Sequence, residues 1–140
     1  MSKKSPKIAA LIAELHGQGL DPHYLGYFAC FNRQLFYEAH DVLEELWLAQ
    51  GKAGPNYSFY KGLIQLAGAF VHLQKNRLRP AVALFNLAET NLRKYPAEHE
   101  HLELGPVLAL IAEWRGRIEG EGFLVNPLPL SEPPSLAVPA

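Results

Sequence analysis

From about Asn56 to Lys75 the chain is apolar almost all round, with Leu63, Ile64, Leu66, Ala67, Phe70, Val71 and Leu73 spread over a helical wheel. A surface helix keeps a polar face, so a helix of this composition lies at the centre of its domain or inside an interface. Lys61 and Gln65 interrupt the run before about 18 consecutive apolar residues accumulate, which argues against a membrane span. The rest of the chain therefore has to wrap this segment on several sides.

The flanking sequence supplies the wrapping elements. Between about Leu35 and Gln50, the residues Phe36, Ala39, Leu43, Leu46, Trp47 and Gln50 share one sector at roughly 100° per residue, the signature of an amphipathic helix. Gly51 through Pro55 ends it. A fifth helix is expected from about Pro80 to Tyr95, with Ala81, Leu84, Phe85, Ala88 and Leu92 as its stripe and Pro96 closing it. Gly105-Pro106 introduces a sixth, from about Val107 to Ile118.

Upstream, Ser5-Pro6 reads as an N-cap followed by proline at the first helical position. That short helix runs to about His16 and stops at Gly17-Gln18-Gly19. Asp21-Pro22 repeats the start signal for a segment carrying Tyr24, Leu25, Phe28 and Phe31, and Asn32-Arg33 marks a turn. Strand-like alternation with hairpin turns is not seen. The expectation is an all-α, compact, single-domain bundle of five to six helices over residues 1–122. Residues 123–140, with Pro127, Pro129, Pro133, Pro134 and Pro139, read as an extended Pro-rich tail.

Composition narrows the partners. A chain of 140 residues buries roughly 68% of its unfolded surface and needs no staples. With 13 basic and 14 acidic side chains, the net charge of -1 gives no reason to expect nucleic acid or an anionic membrane. Cys30, the one cysteine, lies in the apolar stretch Tyr27-Phe28-Ala29-Cys30-Phe31 and reads as a buried small hydrophobe in a reducing compartment. The basic start is followed only by a short apolar stretch interrupted by Glu14, unlike a signal peptide. A soluble cytoplasmic protein is expected. Among the aromatic residues Tyr24, Tyr27, Tyr37, Tyr57, Phe59 and Tyr60, some belong to the core, and a remainder gathered on one surface would favour a homodimer.

One constellation reads as a site. His40 and Glu44 stand four apart on the third helix, with Cβ atoms about 5–6 Å apart, beside the apolar sector and flanking Trp47. Glu38, Asp41 and Glu45 point away and read as a solvated acidic face. On the fourth helix the few polar residues, Lys61, Gln65 and His72, share a stripe with Gly68 between them. Polar groups on an apolar helix must be paired or hydrated. In an antiparallel hairpin this stripe would face His40 and Glu44, and a polar pocket between helices is a usual ligand or metal position.

His40-xxx-Glu44-xx-Trp47, preceded by Phe36-Tyr37-Glu38-Ala39 and followed by Gly62-Leu63-Ile64-Gln65 and His72, resembles the domain of unknown function 309 family. These are helical proteins of bacteria and archaea. The resemblance runs from about Phe31 to Leu92 and implies a fold together with a suspected metal site at the HxxxExxW motif, without an assigned reaction. Many members carry Glu where this chain has Asp41, which weakens any role there that needs the longer carboxylate.

Two readings of the pair follow. As ligands, His40 and Glu44 could hold one edge of a divalent metal, with His72 as third donor and Gln65 or water completing the shell; metal-assisted hydrolysis is then the natural reaction class. As structure, Glu44 would accept the His40 ring N–H while Trp47 caps the core, in a non-catalytic module for a protein partner. Small-molecule binding between helices three and four is the third possibility. Glu98-His99-Glu100-His101 has a Glu-x-x-His spacing, but it occurs once and in an expected loop, where a di-iron bundle needs two copies. Leu66 to Tyr95 resembles one tetratricopeptide-like hairpin, short of the three that make a solenoid.

Overall fold

The computed structural model describes residues 6–17 and 19–140, Lys7 by its backbone alone. Six helices follow in order: α1 (Pro6–Leu15), α2 (Pro22–Phe31), α3 (Phe36–Gln50), α4 (Tyr57–Gln74), α5 (Leu78–Leu92) and α6 (Leu104–Gly120). Two two-residue strands, β1 (Glu98–His99) and β2 (Leu102–Glu103), precede α6, and one 3-10 turn, Leu128–Leu130, follows it. The protein is an all-α bundle. The Ser5 cap and Gln18 lie outside the described residues.

Local chemistry sets the helix limits. Asp21 caps α2, its Oδ1 accepting from the His23 amide at 2.8 Å, with Pro22 at the first helical position. Gly51, at φ 71°, takes the left-handed backbone that stops α3. Helix α5 starts at Leu78, two residues before Pro80, and α6 at Leu104, before Gly105-Pro106. Proline fits anywhere in a first turn, because the leading N–H groups there have no helical acceptor. Helix α5 also ends at Leu92, short of Tyr95, since Pro96 disfavours helical backbone at the residue before it.

Helix α4 is enclosed as its composition requires. Helices α3 and α5 pack along it, α2 packs against α3, α6 against α5 and α1 against α2. Phe70 on α4 is the hub of the core. Its ring lies 5.6 Å from Phe31, 5.0 Å from Phe36, 5.3 Å from Phe85 and 5.1 Å from Trp114, centroid to centroid, so one side chain joins α2, α3, α5 and α6. At the other end of α4, Tyr24, Phe59, Tyr60, Tyr95 and His99 form a second aromatic cluster. Tyr24, Tyr27, Phe59 and Tyr60 are all buried, and of the six aromatics noted in the sequence Tyr37 is the exposed one. Cys30 is buried.

The hairpin corrects the expectation of a chain without strands. Glu98 pairs with Glu103 and His99 with Leu102 in an antiparallel register. The turn residues Glu100 and His101 both have positive φ, 50° and 60°, a conformation that usually selects Asn and Gly. Tertiary contacts hold it instead. The Tyr24 hydroxyl donates to the Glu100 carbonyl at 2.8 Å, and His99 Nε2 donates to Oδ1 of the buried Asn56 at 2.6 Å.

After α6 the chain turns through Gly122 and Phe123, both at φ 62°. Asn126 Nδ2 donates to the Leu73 carbonyl at 2.6 Å, and Arg117 donates to Ser131 Oγ. Further on, Asn32 at the end of α2 clamps the backbone of Leu136: its Nδ2 donates to the carbonyl at 2.8 Å and its Oδ1 accepts the amide at 2.7 Å. The Leu136 side chain is buried in the core. Asn32→Ala removes both bonds, and the expected cost is about 1–3 kcal/mol. Thermal denaturation should show a lowered Tm, and limited proteolysis a faster cut within residues 123–140. Unchanged values on both counts would show that the clamp contributes nothing.

Candidate functional site

An open groove of about 220 Å³ lies between α3, α4 and α5. Tyr37 and His40 come from α3, Gln65 and His72 from α4, and Leu84 from α5; Ile64, Gly68 and Val71 complete the α4 side. Gly68 leaves bare backbone at the floor of the groove. A Cβ at that position would meet Leu84 Cδ1 at 3.1 Å and no other neighbouring atom within 4 Å. At Gly62, two turns nearer the start of α4, the opposite holds. There Leu92 and Asn91 press in so closely that a Cβ would fall 2.9 Å from Leu92 Cγ.

Three of the residues singled out in the sequence meet in this groove: His40, Gln65 and His72. Both imidazoles have an enclosed Nδ1 without a hydrogen-bond partner. Gln65 is fixed by Asn91, whose Nδ2 donates to Oε1 at 2.8 Å, so the group it offers a ligand is its Nε2 amide. Tyr37 and His40 lie one turn apart with nearly parallel rings, 22° between planes and 6.2 Å between centroids. Tyr37 and Leu84 were missed as site residues. Tyr37 carries a usable signal, since it sits three residues before His40 on the same helix face. Leu84 carries none, because only the packing of α5 brings it there.

The other three separate from the groove. Glu44 Oε2 is 3.9 Å from His40 Nε2, an electrostatic contact too long for a hydrogen bond, and Glu44 is not part of the lining. Asp41 Oδ1 is likewise 3.9 Å from His40 Nδ1. Trp47 clasps the α3–α4 junction: its Nε1 donates to the Tyr57 carbonyl at 3.1 Å, and its ring stacks on Tyr57 at 5.1 Å. Lys61 Nζ lies over the same Tyr57 ring, 5.7 Å from its centroid. The expected acidic face is not bare solvent-facing charge either, because Glu45 Oε2 contacts His23 Nε2 at 3.2 Å. In the hairpin, His99 is held in the second aromatic cluster, and His101 Nδ1 lies 3.0 Å from the Ala140 carbonyl oxygen. Among the described residues, no group of three or more His, Cys, Asp or Glu is arranged to hold a metal ion.

Charge is distributed unevenly along the groove. His72 is held below its ordinary pKa of 6.5, first by burial and then by the charges of Arg77 and Lys75. Those two residues are anchored around it, their amides donating to the His72 carbonyl at 2.8 and 3.0 Å. His40, on the other wall, has carboxylates at both ring nitrogens.

The fold and groove define a compact helical-bundle protein with two imidazoles in an interhelical groove. Residues 24–84 match the family model described as Domain of unknown function (DUF309). The match runs from α2 into α5 and contains every residue lining the groove, Leu84 being its last position. No curated protein and no solved structure matches the chain.

Two measurements check this geometry. Trp47→Phe keeps a ring against Tyr57 but loses the indole donor. It should destabilise by about 0.5–1.5 kcal/mol in a denaturant titration while the His40 and His72 ring resonances stay in place; displaced His72 signals would mean that the clasp and the groove are one unit. His72 itself should titrate below 6.5 when its ring shifts are followed by NMR. The unfolded chain then binds this proton more readily than the folded one. The stability His72 contributes is therefore complete above the unfolded value and lost as pH falls through the folded one. A midpoint at or above the ordinary value would contradict the burial and charge seen here.

Proposed function

We propose that the chain is a small-molecule binding protein and that the groove between α3, α4 and α5 is its site. One observation carries this reading: His40, Gln65 and His72 bring two imidazoles and an amide to the walls of one largely apolar groove. A few convergent polar groups in an apolar concavity are the usual make-up of a ligand site. At about 220 Å³ the groove is below the roughly 300–1,000 Å³ of a drug-sized site, so its ligand is small.

A divalent metal with hydrolytic chemistry, the expectation raised by the resemblance, fits less well. His40 and His72 offer two nitrogens, and Glu44 stands outside the lining. That is one donor short of the three that catalytic zinc takes from protein. The reading therefore stays with binding. The alternative of a purely structural cluster is favoured by Trp47, which clasps two helices, but not by His40, which makes no hydrogen bond to Glu44 at 3.9 Å. The near-neutral charge supports the absence of nucleic-acid partners, and the single cysteine supports a reducing, cytoplasmic compartment. No described helix is long and apolar enough to cross a membrane.

Screening a library of small organic fragments by NMR against the whole chain tests the proposal, with zinc titrated in parallel. Hits should move the ring resonances of both His40 and His72, and His72→Phe should weaken them. The idea fails if fragments leave both rings unmoved at millimolar concentration, or if zinc alone binds stoichiometrically at these two residues.

A further inference from the structure

The groove has a shape and a polarity that narrow its ligand; this inference rests on the binding role proposed above. Its floor is bare backbone at Gly68, its sides are the aliphatic chains of Ile64, Val71 and Leu84, and its α3 wall is the near-parallel pair Tyr37 and His40. A shallow slot of this kind suits a flat ring, which can stack on the strip without displacing the floor. Volume limits the ring system. A cavity of about 150 Å³ accepts benzene, so about 220 Å³ leaves room for a second fused ring and little more.

Charge gives the slot a direction. At the His72 end stand Lys75 and Arg77, and no ion pair among the described residues engages either. The C-terminus of α4 itself presents roughly half a negative charge. Two full positive charges outweigh it, so the net field at this end favours an anion. At the other end Asp41 and Glu44 flank His40, each 3.9 Å from a ring nitrogen, and oppose one. The α5 side contributes only Leu84 to the lining, so no charge from that wall alters the balance.

We propose that the groove binds a planar aromatic carboxylate of one or two rings, with the ring on Gly68 beside the Tyr37–His40 strip and the carboxylate toward His72, Lys75 and Arg77. The field of the two cations, which stand just outside the lining, favours the anionic acid, and the Gln65 Nε2 amide is one donor within the lining. Neither the binding nor the orientation requires a reaction.

The test compares 2-naphthoate with the neutral 2-naphthalenemethanol, titrated into the whole chain by calorimetry and NMR. The acid should bind at least about tenfold more tightly at low salt, with the gap narrowing as salt screens the cations. Lys75→Gln combined with Arg77→Gln, both exposed positions, should erase the difference without affecting the alcohol. Gly68→Leu should abolish both ligands by filling the floor, and the milder Gly68→Ala should weaken both if the larger side chain disturbs folding. Equal affinity for acid and alcohol, or an unchanged naphthoate affinity in the double variant, overturns the carboxylate assignment and leaves the binding role standing. If neither compound shifts the Gly68 and Leu84 signals while other fragments do, the aromatic assignment fails; if no fragment does, both fail together.

Discussion

The packing of this protein turns on the Phe70 ring. It is the one side chain whose aromatic contacts reach α2, α3, α5 and α6, at centroid distances of 5.0 to 5.6 Å. Edge-to-face and offset pairs of this kind contribute about 0.5–1.5 kcal/mol each beyond the area they bury. Four such contacts at one residue fix the rotation of α4 about its own axis. That rotation decides which α4 residues face α3 and α5. With Phe70 turned into the core, Gln65, Gly68 and His72 are the positions left at the open seam with α3, where His40 stands.

Two glycines on α4 show how neighbours turn the same local freedom into different structures. At Gly62 the missing side chain lets α5 come close, and Leu92 fills the gap. At Gly68 the facing residue is Leu84, which reaches the helix with a single methyl group within 4 Å. Close-packed interiors tolerate few voids larger than a water molecule. The hollow at Gly68 persists because it opens at the surface, where solvent or a ligand can occupy it. The groove is thus a by-product of close α4–α5 packing at one end and incomplete packing two turns later.

Much of the fold was legible in the sequence because helical period and end signals act locally. Apolar periodicity, Pro22 after Asp21, and Gly51 after Gln50 are sufficient to place helices within a few residues of their observed limits. The hairpin was not legible, since Glu100 and His101 do not advertise a left-handed turn and are held there by Tyr24 and Asn56, far away in the chain. The site was half legible. His40, Glu44 and Trp47 share a helical stripe, but a stripe that long meets different partners along its length. Its first residue meets the groove, its second stands outside the lining 3.9 Å from the His40 ring, and its last meets the start of α4. Spacing on one helix says which side chains are neighbours; what they face is set by the tilt and end of the next helix.

That division also decides how the polar atoms should be read. Trp47 Nε1 has its acceptor, Asn32 has two backbone partners, and the phenol of the fully buried Tyr27 donates to the Leu63 carbonyl at 2.6 Å. Groups that serve only the fold are thus satisfied within it, as buried polar groups generally are. The Nδ1 atoms of His40 and His72 break this pattern, in two residues that line the groove between α3, α4 and α5. An aliphatic side chain at either position would remove an unpaired polar atom, so the fold alone gives no reason for an imidazole at this hollow. The case for a ligand therefore depends on polar residues of two helices gathered at an open, largely apolar seam, and not on the His-Glu spacing that first drew notice to the helix.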